Sequence, residues 1–157
     1  MLQRISKATM SLLAAGLLAG SPLSGASTTG SHPRVNAELP PSAQNYYRTM
    51  WGVDKLEVKP VSSGEMIRFS YRIVDVNKAK VLNDKKAAPQ LIDQKSRASL
   101  VVPTMEKIGQ LRQSSTPEEG REYWMLFSNK GNYVQPGNRV DVVIGAFRAE
   151  GLIVRSD

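Results

Sequence analysis

The chain has 157 residues, no cysteine, one histidine and a formal net charge of +7 at pH 7. The absence of cysteine excludes a disulfide framework and lipid attachment through a lipobox cysteine. The length suits one domain behind an N-terminal leader, and such a domain is large enough to close its core without disulfides.

The first 26 residues predict a secretory signal peptide. Arg4 and Lys7 form a positively charged start, residues 8–20 carry no charge, and small residues precede an expected cleavage after Ala26. The uncharged run is shorter than the ~20 residues that a membrane-spanning helix needs, and no later stretch is apolar enough to span. We therefore expect a periplasmic or secreted protein with no transmembrane segment after cleavage. Removing Arg4 and Lys7 leaves a net charge of +5.

Residues 27–44 are predicted to be a flexible linker, because they are rich in Ser, Thr, Pro and Gly and have no hydrophobic period. The folded domain is expected over residues 45–157. It begins with a short helix that Ser42 caps and Gly52 ends.

From residue 55 onward the hydrophobic period changes to two, which is typical of strands. The clearest strand is 66–75, where apolar and polar residues alternate, while 122–128 is apolar on both faces, as in a central strand. A turn is expected at 149–151. The remaining strands are predicted at 55–59, 89–93, 98–102, 140–144 and 152–155. About seven short strands with a short N-terminal helix predict an all-β domain, an antiparallel immunoglobulin-like β-sandwich, with a small closed barrel as the alternative.

Short motifs are spread over the predicted domain. They are WGV at 51–53, FSYRIVD at 69–75, LID at 91–93, Gly109 with LRQ at 111–113, MLF at 125–127, PG at 136–137, VVIG at 142–145 and FR at 147–148. Together they resemble a group of small exported bacterial proteins with an immunoglobulin-like β-domain. The resemblance implies export and a β-fold, and it carries no catalytic assignment.

The sequence contains no catalytic constellation for the predicted domain. His32 lies in the predicted linker, which excludes Ser-His-Asp and Cys-His sites and a zinc site of histidine and cysteine ligands. Glu118 and Glu119 are adjacent, whereas glycoside hydrolysis requires two carboxyl groups that face each other across the bond. No glycine-rich phosphate loop precedes a helix. We expect no cofactor and no metal site.

Two features of the sequence point to a partner. The segment 78–97 has six basic residues against two acidic ones, which favours an anionic partner. The connection 103–120 is long for a sandwich and mixes apolar with basic residues in its first half. The structural alternatives are ordinary solubilising charge for the segment, and packing over an open sandwich end for Met105, Ile108 and Leu111. The candidate partner-binding residues are Lys80, Lys85, Lys86, Arg97, Met105, Lys107, Leu111 and Arg112.

These observations predict a non-enzymatic exported protein that binds an anionic envelope component or another envelope protein. Nucleic acid is not expected as a partner of an exported protein. One alternative is a small-ligand carrier with a pocket between the sheets. The other is a hydrolase that uses carboxylates alone.

Overall fold

The computed structural model describes residues 38–156, and this part of the chain is rich in strands. It contains two α-helices, α1 (Pro41–Trp51) and α2 (Val76–Ala79), and two 3-10 helices at Ser62–Gly64 and Lys80–Asn83. The strands are β1 (Val53–Val61), β2 (Met66–Ile73), β3 (Gln90–Asp93), β4 (Ser99–Val101), β5 (Thr104–Met105), β6 (Gly109–Gln110), β7 (Glu122–Ser128), β8 (Arg139–Ile144) and β9 (Phe147–Ile153). The predicted signal peptide and the predicted linker up to residue 37 lie outside the described residues.

Helix α1 begins at Pro41 and so overlaps the last four residues of the predicted linker. Pro40, not Ser42, occupies the N-cap position, and a proline fits the first helical residue because the amide there needs no helical partner. The helix ends at Gly52, as predicted, in the left-handed conformation with φ of +64°. A Cβ atom at Gly52 would lie 2.6 Å from the carbonyl oxygen of Asp75, so the position requires glycine.

The strands form two antiparallel sheets and a small hairpin in the described part of the chain. The first sheet has the order β1-β2-β7, the second has the order β4-β3-β8-β9, and β5 pairs with β6. The prediction of a largely β, antiparallel domain is confirmed. The strand count differs from about seven because β5 and β6 form within the connection 103–120, where the sequence predicts a loop.

Side chains from both sheets form one buried apolar cluster. The predicted inward residues of β2 are confirmed, because Ile67, Phe69, Tyr71 and Ile73 are all buried. On the other face Arg68 and Arg72 are partly exposed, but Ser70, which was predicted to point outward, is buried. The predicted inward residues of β8 are also buried, namely Val142 and Ile144. Helix α1 closes one side of this cluster, where the ring of Trp51 lies 5.4 Å from that of Phe147, centroid to centroid.

Strand β7 is last in the strand order β1-β2-β7, but it is paired along both of its edges, as the prediction of a central strand requires. It pairs with β2 on one side, and on the other side with residues 111–113, which complete the edge of the sheet. The amide of Leu126 donates to the carbonyl oxygen of Leu111 at 2.9 Å, and the amide of Gln113 donates to that of Trp124 at 2.9 Å. The end of the first half of the connection 103–120, residues 111–113, therefore belongs to the sheet structure.

Residues 149–151, which were predicted to form a turn, lie inside β9 near an irregularity in its pairing with β8. The chain reverses between Ile144 and Phe147 instead, and the register of β8 with β9 shifts near Asp141. Gly151 adopts a positive φ there and its amide donates to the Asp141 carboxylate at 2.8 Å. Within residues 38–156, no helix has the length and apolar character required to cross a membrane.

Candidate functional site

Arg112 is buried, with 9% of its surface exposed, although the sequence places it among the partner-binding residues. Its guanidinium donates to three backbone oxygens: Ala87 at 3.1 Å, Leu82 at 3.2 Å and Asp84 at 3.1 Å. These oxygens lie in and just after a 3-10 helix, where carbonyls lack helical partners, and the fork of an arginine offers enough donors for all three. The position of Arg112 gives no support to the prediction that it contacts a partner, because both terminal nitrogens of its guanidinium donate to oxygens inside the domain.

Burial lowers the pKa of the Arg112 guanidinium from its ordinary value, while Tyr71 and Asp84 act in the opposite direction. Arginine nevertheless stays protonated in proteins. A permanent buried cation therefore joins the connection 103–120 to residues 82–87.

This contact fixes a short basic stretch, residues 80–88, which we call the lysine segment. Its cations are Lys80, Lys85 and Lys86, and all three are exposed. None of the three forms an ion pair with another residue between 38 and 156. The acid of the segment is Asp84, whose carboxylate accepts the backbone amide of Lys86 at 2.9 Å. The three lysines are therefore held on a backbone that Arg112 restrains.

The hairpin β5–β6 projects from the same end of the domain. The amide of Leu111 donates to the carbonyl oxygen of Pro103 at 3.1 Å and closes the base of the hairpin, and Arg112 follows directly. Leu111 is half-buried against the core, in agreement with the structural alternative for this residue. Met105 and Lys107, in contrast, are exposed near the tip.

Ile108 is the most exposed large apolar side chain in the described part of the chain, at 69%. Ile108 is not one of the candidate partner-binding residues predicted from the sequence. A usable signal was Gly109, which has a φ of +74° and follows a three-residue turn, because glycine in that position is typical of hairpin connections.

Arg97 is not brought together with the lysine segment. The lysine segment precedes β3, whereas Arg97 lies in the turn that follows β3, and four strand residues separate the two ends by roughly 13 Å. Its neighbours are Lys95, in the same turn, and Arg139, whose carbonyl oxygen accepts the amide of Gln94 at 2.9 Å. The basic segment 78–97 is therefore split between two ends of the domain.

The turn that carries Arg97 is held by a buried acid. The Asp93 carboxylate accepts the amide and the hydroxyl of Ser96, both at 2.7 Å, and the side-chain amide of Asn138 at 3.0 Å. Burial acts to raise the pKa of Asp93, but the hydrogen bonds from Ser96 and Asn138 outweigh it, so the pKa lies below its ordinary value. Asp93 has a structural role, because it fixes the turn from inside.

Large side chains fill the space between the sheets. The largest fully buried ones include Phe69, Tyr71, Tyr123, Phe127 and Phe147. A carrier would need an apolar cavity at that place, so this filled core gives the carrier alternative no support.

Several carboxylates of the described residues are paired with arginines. Arg72 donates to Asp54 through two nitrogens, at 2.8 and 2.7 Å, and this hydrogen bonding lowers the pKa of Asp54. Glu118 forms an ion pair with Arg121 at 3.0 Å. Between residues 38 and 156, no group of three or more His, Cys, Asp or Glu side chains is placed to hold a metal ion.

Comparison with protein-family models, with curated proteins and with solved structures finds no match to this sequence. The resemblance to a group of small exported bacterial proteins therefore stays a prediction.

Proposed function

We propose that this protein is a non-enzymatic, exported binding module that holds an anionic component of the bacterial envelope against its lysine segment. The observation that supports the proposal is the contact of Arg112 with three backbone oxygens of residues 82–87. Because that segment is already ordered, little backbone entropy is lost when a partner binds, and such preorganisation favours affinity.

We also propose that the domain is an immunoglobulin-like β-sandwich. The two larger sheets contain three and four strands, and their inner faces share one core. Seven antiparallel strands in this division are consistent with an immunoglobulin-like sandwich. Such a fold would present its functional residues on loops at the ends of a rigid scaffold, which is where the lysine segment lies.

Charge supplies the expected mode of recognition. Exposed cations attract an anionic surface over roughly 10 Å at 0.1 M salt, and this attraction weakens as the salt concentration rises. Binding through the lysine segment should therefore depend strongly on ionic strength. A partner held by apolar contacts alone would show little such dependence.

The test is a charge reversal in which Lys80, Lys85 and Lys86 are all changed to Glu. We expect cosedimentation with envelope fragments of the native host to fall by at least tenfold, while the melting temperature changes little because surface substitutions seldom alter stability. The matched control changes Lys95, Arg97 and Arg139 to Glu, which alters the net charge equally at the other end of β3. If only the control variant loses binding, or if both variants lose it equally, the lysine segment is not the site.

A further inference from the structure

Two exposed apolar side chains lie at the tip of the β5–β6 hairpin. Met105 is 49% exposed and Ile108 is 69% exposed. Single exposed apolar residues are ordinary on protein surfaces, but Met105 directly precedes the three-residue turn of this hairpin and Ile108 is its last residue. Clustered exposed apolar residues with a polar surround are typical of interaction sites.

The surroundings of this tip are cationic. Lys107 lies in the turn itself, and the lysine segment reaches the base of the hairpin through Arg112. Within the lysine segment and the hairpin turn the acids are Glu106, beside Lys107, and Asp84, whose carboxylate accepts the amide of Lys86. These two stretches therefore carry four exposed lysines against two acids: Lys80, Lys85, Lys86 and Lys107.

We propose that this end of the domain docks on an anionic phospholipid bilayer, with the four lysines at the headgroups and with Met105 and Ile108 inserted beneath them. The inference rests on the proposed function, because it takes the lysine segment as the anion-binding surface. Lysines near an anionic bilayer are attracted to it, and apolar side chains gain further affinity at the boundary between headgroups and acyl chains.

The shape of the hairpin favours a bilayer over a folded protein partner. The tip is a convex turn, and a bilayer receives such a turn without offering a matching pocket. Two strand residues on each side, from Pro103 and Leu111 at the base to Met105 and Gly109, rise about 7 Å. This height is comparable to the ~5–10 Å depth that interfacial apolar groups reach in a bilayer.

The chain contains no cysteine, so Ile108→Cys provides one labelling position for an environment-sensitive fluorophore at the tip. The readout is placed there because any uncleaved chain also carries the apolar residues 8–20, and total binding to vesicles would not separate their contribution from that of the hairpin. The matched control is Tyr133→Cys, an exposed apolar position at the other end, where the Tyr133 carbonyl oxygen accepts the side-chain amide of Asn138.

The full chain, purified from its host, is mixed with vesicles of phosphatidylglycerol or of phosphatidylcholine. We expect the label at position 108 to shift to the blue and to be quenched by a nitroxide in the acyl chains, with phosphatidylglycerol only. The label at position 133 should stay aqueous. Changing Lys85 and Lys86 to Glu should weaken the response at position 108 by roughly 25-fold, since each lysine near the surface contributes about fivefold.

Three results would overturn the inference. A label at position 108 that stays aqueous while the protein is bound to phosphatidylglycerol excludes insertion but leaves the lysine segment as a charged site. Binding to a soluble polyanion such as dextran sulfate, without any response to vesicles, moves the proposed function to a polymer or an acidic protein. An equal response with phosphatidylcholine shows that the lysines play no part, and then the proposed function fails as well.

Discussion

The guanidinium of Arg112 lies 3.1 Å from the carbonyl oxygen of Ala87, a residue 25 positions earlier in the chain. With its contacts to Leu82 and Asp84, this side chain holds the connection 103–120 against the lysine segment. It therefore determines how the hairpin and the lysines are placed relative to each other.

Replacing Arg112 by Ala should destabilise the domain and loosen the lysine segment. The change leaves backbone oxygens without partners, and each unsatisfied buried acceptor costs about 1–3 kcal/mol. We expect a loss of roughly 2–4 kcal/mol in urea denaturation, together with faster hydrogen exchange across residues 82–88. Arg121→Ala is the control, because its ion pair with Glu118 is exposed and should contribute less than about 1 kcal/mol. Equal stability of the two variants would contradict the structural role of Arg112.

Replacing Gly52 by Ala should be strongly destabilising. The added Cβ would lie 2.6 Å from the carbonyl oxygen of Asp75, and the left-handed backbone itself disfavours a side chain. We expect a loss of more than about 2 kcal/mol, since the obstructing atom belongs to the backbone. Gly137 also has a positive φ, of +88°, but nothing lies within 4 Å of an added Cβ. Gly137→Ala therefore measures the cost of the left-handed backbone without a steric clash. Thermal denaturation of the two variants should show the larger effect at position 52.

The buried Asp93 should make stability sensitive to acid. Its pKa in the folded state is lowered, so its ionised form stabilises the domain above the ordinary pKa of about 3.8, and this contribution is lost as the pH falls below that value. Asp93→Asn should reduce stability at pH 7 by about 1.5–3 kcal/mol, because hydrogen bonds to a charged acceptor are weakened.

The same variant should differ less from the wild type at pH 3 than at pH 7 in urea denaturation. Some acid sensitivity should remain in Asp93→Asn, because hydrogen bonding by Arg72 also lowers the pKa of Asp54. A difference that is constant between pH 3 and pH 7 would show that folding does not lower the pKa of Asp93.

Replacing Phe69 by Ala should cost about 3–5 kcal/mol, because it removes a fully buried ring from the shared core of the two sheets. Tyr133→Ala removes a ring that is 57% exposed and should change stability much less. Chemical denaturation of both variants compares the two sites directly. An equal loss of stability in the two variants would contradict the location of the core at the buried face of β2.

Local sequence determined most of the longer strands and the inward face of β2. Along β2 the side of the sheet that a residue faces depends only on its parity in the sequence, so alternation is enough to identify Phe69 and Tyr71 as core residues. The end of α1 at Gly52 is equally local, because the left-handed conformation is a property of one residue.

Only the tertiary structure decided which basic residues share a surface. An arginine in a mixed polar and apolar connection is compatible with exposure, and the partners of Arg112 are 25 to 30 positions away in the chain. The count of basic residues between 78 and 97 likewise does not show which of them lie on the same part of the surface. In the structure, the length of β3 separates Lys86 from Arg97. The physical reason is that periodicity records which face of a strand a side chain occupies, while contacts between distant segments depend on how the sheets and connections pack.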